Sequence, residues 1–126
     1  MKKILFFAAL ILIGSYTVFA QAESDIVITE IMYNPPGEDT LEFIELYNKS
    51  DFGVNLTGWK FVKGITHSLS GTFISPKSYI ILAKDKDKFE SRFGVPAFQW
   101  EDGGLSNSGD TLVLVNPFGE LSLIHI

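Results

Sequence analysis

The chain contains no cysteine, so no disulfide, thiolate nucleophile or cysteine-bound metal can be part of its chemistry. It holds two histidines among 126 residues, at positions 67 and 125. A serine nucleophile needs a histidine base, and only His67 is a credible one. No G-x-S-x-G elbow accompanies it, and one histidine without cysteine cannot build a tetrahedral zinc set. Phosphate-binding signatures are absent too. Gly103-Gly104 is followed by Leu105-Ser106-Asn107, which has neither the lysine nor the spacing of a phosphate loop. Basic residues are scarce, ten against fifteen acidic ones. The longest apolar run, Ile4 to Ile13, has ten residues, well short of the ~20 that a membrane span needs.

That run has a different use. Lys2 and Lys3 precede it, and small residues follow from Gly14 to Ala22, the order of a signal peptide. Residues 1–20 are therefore expected to be an export signal, cleaved after Ala20 or Ala22, and the product to be secreted, periplasmic or at the cell surface. Without Lys2 and Lys3, eight basic residues face fifteen acidic ones, a charge of −7. Such a mean field opposes a polyanion. Lys84, Lys86, Lys88 and Arg92 are interleaved with Asp85, Asp87 and Glu90, which describes a solvated helix face rather than a phosphate track. Nucleic acid is not an expected partner.

What remains, residues 25–120, is one domain of extended segments and turns. Ile26 to Tyr33 is rich in β-branched and aromatic residues and stops at Asn34-Pro35-Pro36-Gly37, where two residues lack an N–H. Glu42 to Trp59 encodes a strand, a turn over Asn48–Gly53, a short strand and a tryptophan that needs burial. Trp59 to Lys63, Ile65 to Leu69 and Thr72 to Ile74 continue the pattern. Tyr79 to Ala83 is uniformly apolar, as a strand covered on both faces would be. Between Asp85 and Phe93 the pattern changes to helix: Phe89 and Phe93 lie four apart, an aspartate stands at the N-terminal cap, and Gly94 marks the stop. Pro96 to Trp100 is extended, Glu101 to Gly109 reads as a loop, and Asp110 to Val115 is a further strand. The expected fold is all-β, with one short helix on the edge of the sandwich.

Five segments, in order and in spacing, resemble the lamin-tail domain family. They are Thr29 to Pro35, Glu42 to Asn48, Val54 to Trp59, Tyr79 to Asp85 and Leu105 to Leu112. The resemblance covers nearly all of Ile26 to Gly119 and implies an immunoglobulin-like β-sandwich of the family's bacterial, secreted branch. It further implies an accessory part of the kind that often accompanies secreted or surface enzymes, and the module itself is read as non-catalytic. The family usually continues past Phe118-Gly119 into a strand with an aromatic, and this sequence does not. Residues 121–126 instead resemble a translated sequencing adapter, so the last strand is expected to be missing or replaced and the chain truncated. The other reading is a true amphipathic last strand.

The chemistry that the residues offer is limited. Glu30, Glu42 and Glu45 can meet across a ladder as an acid/base pair or cation site, though solvated faces or backbone acceptors are the favoured reading. Calcium candidates are the loop carboxylates Glu38, Asp39, Glu101 and Asp102, without the ligand spacing of an EF-hand. Tyr33, Tyr47, Phe52, Trp59 and Trp100 offer rings for stacking on a sugar. Trp59 is the expected core anchor among them, and Trp100, which leads into a loop, is the ligand-facing candidate. Asn48-Lys49-Ser50 and Asn55-Leu56-Thr57 match the glycosylation pattern but also read as turns. No catalytic residue and no cofactor are assigned. The expectation is a scaffolding module whose partner is a protein or a cell-surface glycan. The alternatives are a carbohydrate- or calcium-dependent ligand-binding module, or the N-terminal part of a secreted hydrolase or nuclease whose catalytic domain is absent.

Overall fold

The structure, a computed structural model, describes residues 25–106 and 111–125. The export segment therefore lies outside the described residues, as do 107–110. The strands are β1 (Ile26–Met32), β2 (Phe43–Asn48), β3 (Val54–Asn55), β4 (Lys60–Lys63), β5 (Ile65–Ser68), β6 (Phe73–Ile74) and β7 (Tyr79–Ala83). Helix α1 (Lys86–Phe93) follows, then β8 (Phe98–Gln99), β9 (Asp102–Gly103), β10 (Thr111–Val115) and β11 (Leu121–His125). One sheet has the order β1-β2-β7-β8 and the other β11-β10-β4-β5-β9, with β3 and β6 forming a small ribbon. All pairings are antiparallel except β7 with β8. This is the sandwich that the strand pattern implied, of the immunoglobulin-like kind that the family resemblance implied.

Alternation assigns the faces. Ile44 and Leu46 on β2 and Leu82 on β7 point inward, where they join Ile26 and Ile28 of β1. Against them pack Phe61, Ile65, Leu112 and Leu114 of the second sheet, with Trp59, Leu69, Trp100 and Leu105 filling the ends. Each such side chain contributes about 1.5–3 kcal/mol by leaving water. Trp59 is 9 % exposed and takes the anchoring position expected of it.

The opposite parity on the same strands builds a second, smaller cluster. Phe43, Ile81 and Ala83 project from the outer face of the first sheet, and Phe89 of α1 and Ala97 cover them. Hence Tyr79–Ala83 is apolar throughout: its last residues are buried on both faces. Phe89 meets Phe43 edge-on at 5.1 Å between ring centroids, and Phe93 closes the group at 4.8 Å from Phe89. The helix is bounded as its sequence implied. The Asp85 carboxylate accepts the Lys88 N–H at 3.1 Å, and Gly94, at φ 67°, donates its N–H to the Glu90 carbonyl. It sits over the outer face of the first sheet, beside the β7–β8 edge.

One expectation needs revision. Glu101–Gly109 does not begin as a plain loop: Asp102 and Gly103 form β9 against Thr66 and Ile65. Gly103 has φ +87°, and a Cβ there would stand 3.2 Å from the Gly64 carbonyl oxygen, so the pairing needs the glycine that disguised it. At the end of the chain, where the last strand was expected to be missing or replaced, residues 121–125 form a strand. β11 pairs with β10 from Thr111↔His125 to Val115↔Leu121, which covers the β10 edge. Ladder bonds use only backbone groups, so any strand-competent segment in register closes such an edge. The preceding turn is held by buried Asn116, whose Oδ1 accepts the Phe118 and Glu120 N–H groups at 3.0 and 2.9 Å.

Candidate functional site

The residues singled out in the sequence are mostly occupied in holding the fold. Glu42 is buried, and its Oε2 accepts the Leu105 N–H at 3.0 Å while Lys84 Nζ stands 3.5 Å away. It ties the start of β2 to the loop after β9, a backbone acceptor rather than an acid. Glu30 and Glu45 do face one another across the β1–β2 ladder, beside an irregularity at Thr29. The Thr29 hydroxyl, donating to Glu45 Oε1 at 2.9 Å, softens that like-charge pair.

The four calcium candidates do not converge. Glu38 meets Lys88 Nζ at 2.6 Å, and that hydrogen bond, with a second from Thr40, holds its carboxyl below the usual range. The same contact raises Lys88. Asp39 lies in a one-turn 3-10 segment, Asp39–Leu41. Glu101 belongs to the other sheet, where its Oε2 accepts the Ser68 N–H at 3.3 Å, and Asp102 is an exposed residue of β9. Among the described residues no three histidine or carboxylate side chains gather as a metal would require.

Trp100 is corrected as a sugar platform. Its ring is 4 % exposed within the main core, and its Nε1–H donates to the Gly103 carbonyl at 2.8 Å. A face stacked among core side chains cannot receive a pyranose. The sequence hid this because the loop after Trp100 folds back as β9. Asn48 is corrected as a glycosylation acceptor: it is fully buried. Its Nδ2 donates to the carbonyls of Phe52, Ile74 and Ser75 at 2.7, 3.1 and 3.2 Å, and its Oδ1 accepts from Ser50 N and Oγ. Asn55 accepts from Thr57 in an exposed turn. His67 is half-buried on β5, its Nδ1 enclosed without a hydrogen bond among the described residues. Burial pushes its pKa down, and the nearby Glu101 carboxylate partly opposes this.

Among the described residues, two concavities lie beside α1. The larger, about 690 Å³, lies between the Pro36–Leu41 segment and the helix, and the Glu38–Lys88 ion pair belongs to its lining. The other, about 490 Å³, is an apolar groove on the outer face of the first sheet, which periodicity alone did not reveal. Its floor is Ile81 and Glu45, one wall is Lys86 and Glu90 of α1, and the other is Val95 to Phe98. The walls are braced together: Glu90 Oε1 accepts the Ala97 N–H at 3.1 Å, and Gln99 Oε1 accepts the Lys86 N–H at 3.2 Å. At its mouth Tyr79, 56 % exposed, stacks on Tyr47 at 4.4 Å between centroids. Val95 and Phe98 are also exposed. A concave, braced, apolar site with a few charged groups has the composition of a binding surface. Sequence signals for it exist only in retrospect: β2 and β7 alternate, but which outer residues the helix leaves uncovered depends on where it docks.

No curated protein matches the chain. A family model described as Lamin Tail Domain matches residues 20–125, which take in both sheets, the helix and the groove between them. With the sandwich and the five segments in agreement, the chain belongs to the lamin-tail domain family.

Proposed function

We propose that the chain is a non-catalytic, exported interaction and scaffolding module, an accessory domain of a larger secreted or cell-surface protein, and that it engages a protein partner through the outer-face groove. The observation that supports this most is the groove itself. Exposed Tyr79, Val95 and Phe98 surround a preformed hollow that the fold braces without filling. The side chains that acid/base or ion chemistry would need are tied into ladders, turns and ion pairs. The apolar run behind Lys2 and Lys3 supports export.

The experiment places a photo-crosslinking benzoylphenylalanine at position 79 or, as a control, at position 118, where Phe118 is still more exposed but lies outside the groove lining. In the producing cells, position 79 should yield adducts of defined mass that position 118 does not. Equal labelling from both positions, or none from either, would remove the groove as the working surface. Mass spectrometry of the same material tests export, since cleavage leaves Gln21 or Glu23 as the first residue.

A further inference from the structure

We infer that the edge of β7 at Tyr79–Ile81 takes up an extended segment of a partner protein as an added strand, with a lysine or arginine of that segment entering the groove. This rests on the reading of the groove as the interaction surface and specifies how the partner is held.

The backbone argument comes from the β2–β7 ladder. Asn48 N–H donates to the Ser78 carbonyl and Lys84 N–H to the Glu42 carbonyl, at 2.9 and 3.0 Å, with Leu46↔Ile80 and Ile44↔Leu82 between them in register. In an antiparallel pair, alternate residues exchange both bonds and the residues between them point the other way. Tyr79, Ile81 and Ala83 therefore direct their N–H and C=O groups away from β2. Ala83 is satisfied on that side, its carbonyl accepting the Trp100 N–H at 3.1 Å. β8 pairs only from Leu82↔Phe98 onward, because the chain reaching it from α1 passes through Pro96, which has no N–H to offer. Ahead of that point no strand among the described residues lies beside Tyr79 or the Ile81 N–H. Tyr79 is exposed while Ile81 is buried, so the accessible part of this edge is short, and unpaired backbone donors and acceptors at a strand edge are a template for pairing with another chain.

The side chains say which segment fits. Residues of an added strand alternate between faces, so the one beside Tyr79 on the outer face stands at the mouth of the groove and directs its side chain into it. The groove holds two carboxylates, Glu45 and Glu90, and one ammonium, Lys86. Lys86 is already 3.8 Å from Glu90. Glu45 has a like charge, Glu30, directly across the β1 ladder and the apolar Ile81 across the β7 ladder. A cationic side chain with an aliphatic stem matches this: its stem lies on Ile81 and Ala97 while its head reaches the carboxylates. Two carboxylate neighbours disfavour an acidic residue at that position. The chain's acidic balance adds to the same preference at long range.

The test uses the 15N-labelled full chain and three hexapeptides capped at both ends. The first alternates valine with threonine and carries one central lysine. The second has glutamate for that lysine. The third keeps the lysine but is N-methylated at the amides that would pair with β7. The first should saturably shift the Tyr79, Ile81 and Ala97 amide resonances and slow hydrogen exchange at Tyr79 and Ile81. The glutamate peptide should bind at least tenfold more weakly, and the N-methylated one should lose binding. E45Q should weaken the lysine peptide about fivefold. Equal binding of the N-methylated peptide would overturn strand addition while leaving the groove as a contact surface. A dimer forming across this edge, or crosslinks at position 79 without any peptide response, would overturn the inference alone. Absence of both crosslinks and peptide shifts would overturn the inference and the proposed function together.

Discussion

Asn48 offers the sharpest test of how this sandwich is held together. It ends β2, and its amide reaches the 49–53 turn on one side and β6 on the other. N48A removes every one of these links, but their costs differ. The Ile74 carbonyl is buried and would be left without that donor, a penalty of about 1–3 kcal/mol. The Phe52 carbonyl keeps the Ser50 hydroxyl at 2.9 Å, and the Ser75 carbonyl is only part-buried and can turn to water. Loss of the Ser50 contacts adds about 1 kcal/mol. The expected destabilisation is thus roughly 2–4 kcal/mol, or a fall in Tm on the order of 10–25 °C for a domain of this size.

The assay is thermal and urea unfolding followed by circular dichroism, with N48D as the informative companion. An aspartate keeps the acceptor for Ser50 but turns a carboxylate oxygen toward three carbonyls. That raises its pKa above the unfolded value, so the unfolded state loses its proton first. N48D should therefore lose stability as pH rises from about 4 toward 7, a slope contributed by the new carboxyl and absent from N48A. A loss below about 0.5 kcal/mol in N48A would refute the reasoning, as would N48D and N48A curves with the same pH dependence.

Three further outcomes follow from the same geometry. W59A should cost ~3–5 kcal/mol, since the ring lies in the main core; a loss under about one would mean that the ring contributes little packing. E42A should cost about 2–3 kcal/mol by orphaning the Leu105 N–H, whereas E42Q, which keeps an acceptor oxygen, should cost about 1. Equal losses would assign the effect to the Lys84 ion pair instead, which a double cycle with K84M would then measure. His67 is depressed by burial, so the unfolded chain takes up its proton first as pH falls. The stability it contributes is complete above about pH 6.5 and is lost on acidification below it. Tm should thus fall more steeply between pH 7 and 5.5 in the native chain than in H67Q, and more steeply still in E101Q. Parallel slopes for the three proteins would exclude His67 as the cause.

The sequence by itself determined the class of fold and the place of most elements. Alternation in Phe43–Asn48, a β-branched first strand and the Asp85/Gly94 caps are local facts, and local backbone preference and burial parity follow from them directly. Trp59 was legible for the same reason, being a large ring at a strand start behind Gly58. Tertiary structure alone decided which polar and aromatic residues face inward. Trp100 reads as a loop residue until β9 folds back to cover it, and Gly103 conceals that strand because a positive φ looks like a turn. Asn48 reads as a turn former or a glycan acceptor until the Ile74 and Ser75 carbonyls, from a distant segment, meet its amide. The groove, too, exists only because α1 docks over Phe43 and Ala83 and leaves Glu45 and Tyr79 beside it in its lining. Periodicity reports the two faces of one strand. Which of those faces is then covered depends on contacts between segments far apart in the chain, and one strand's pattern does not encode them.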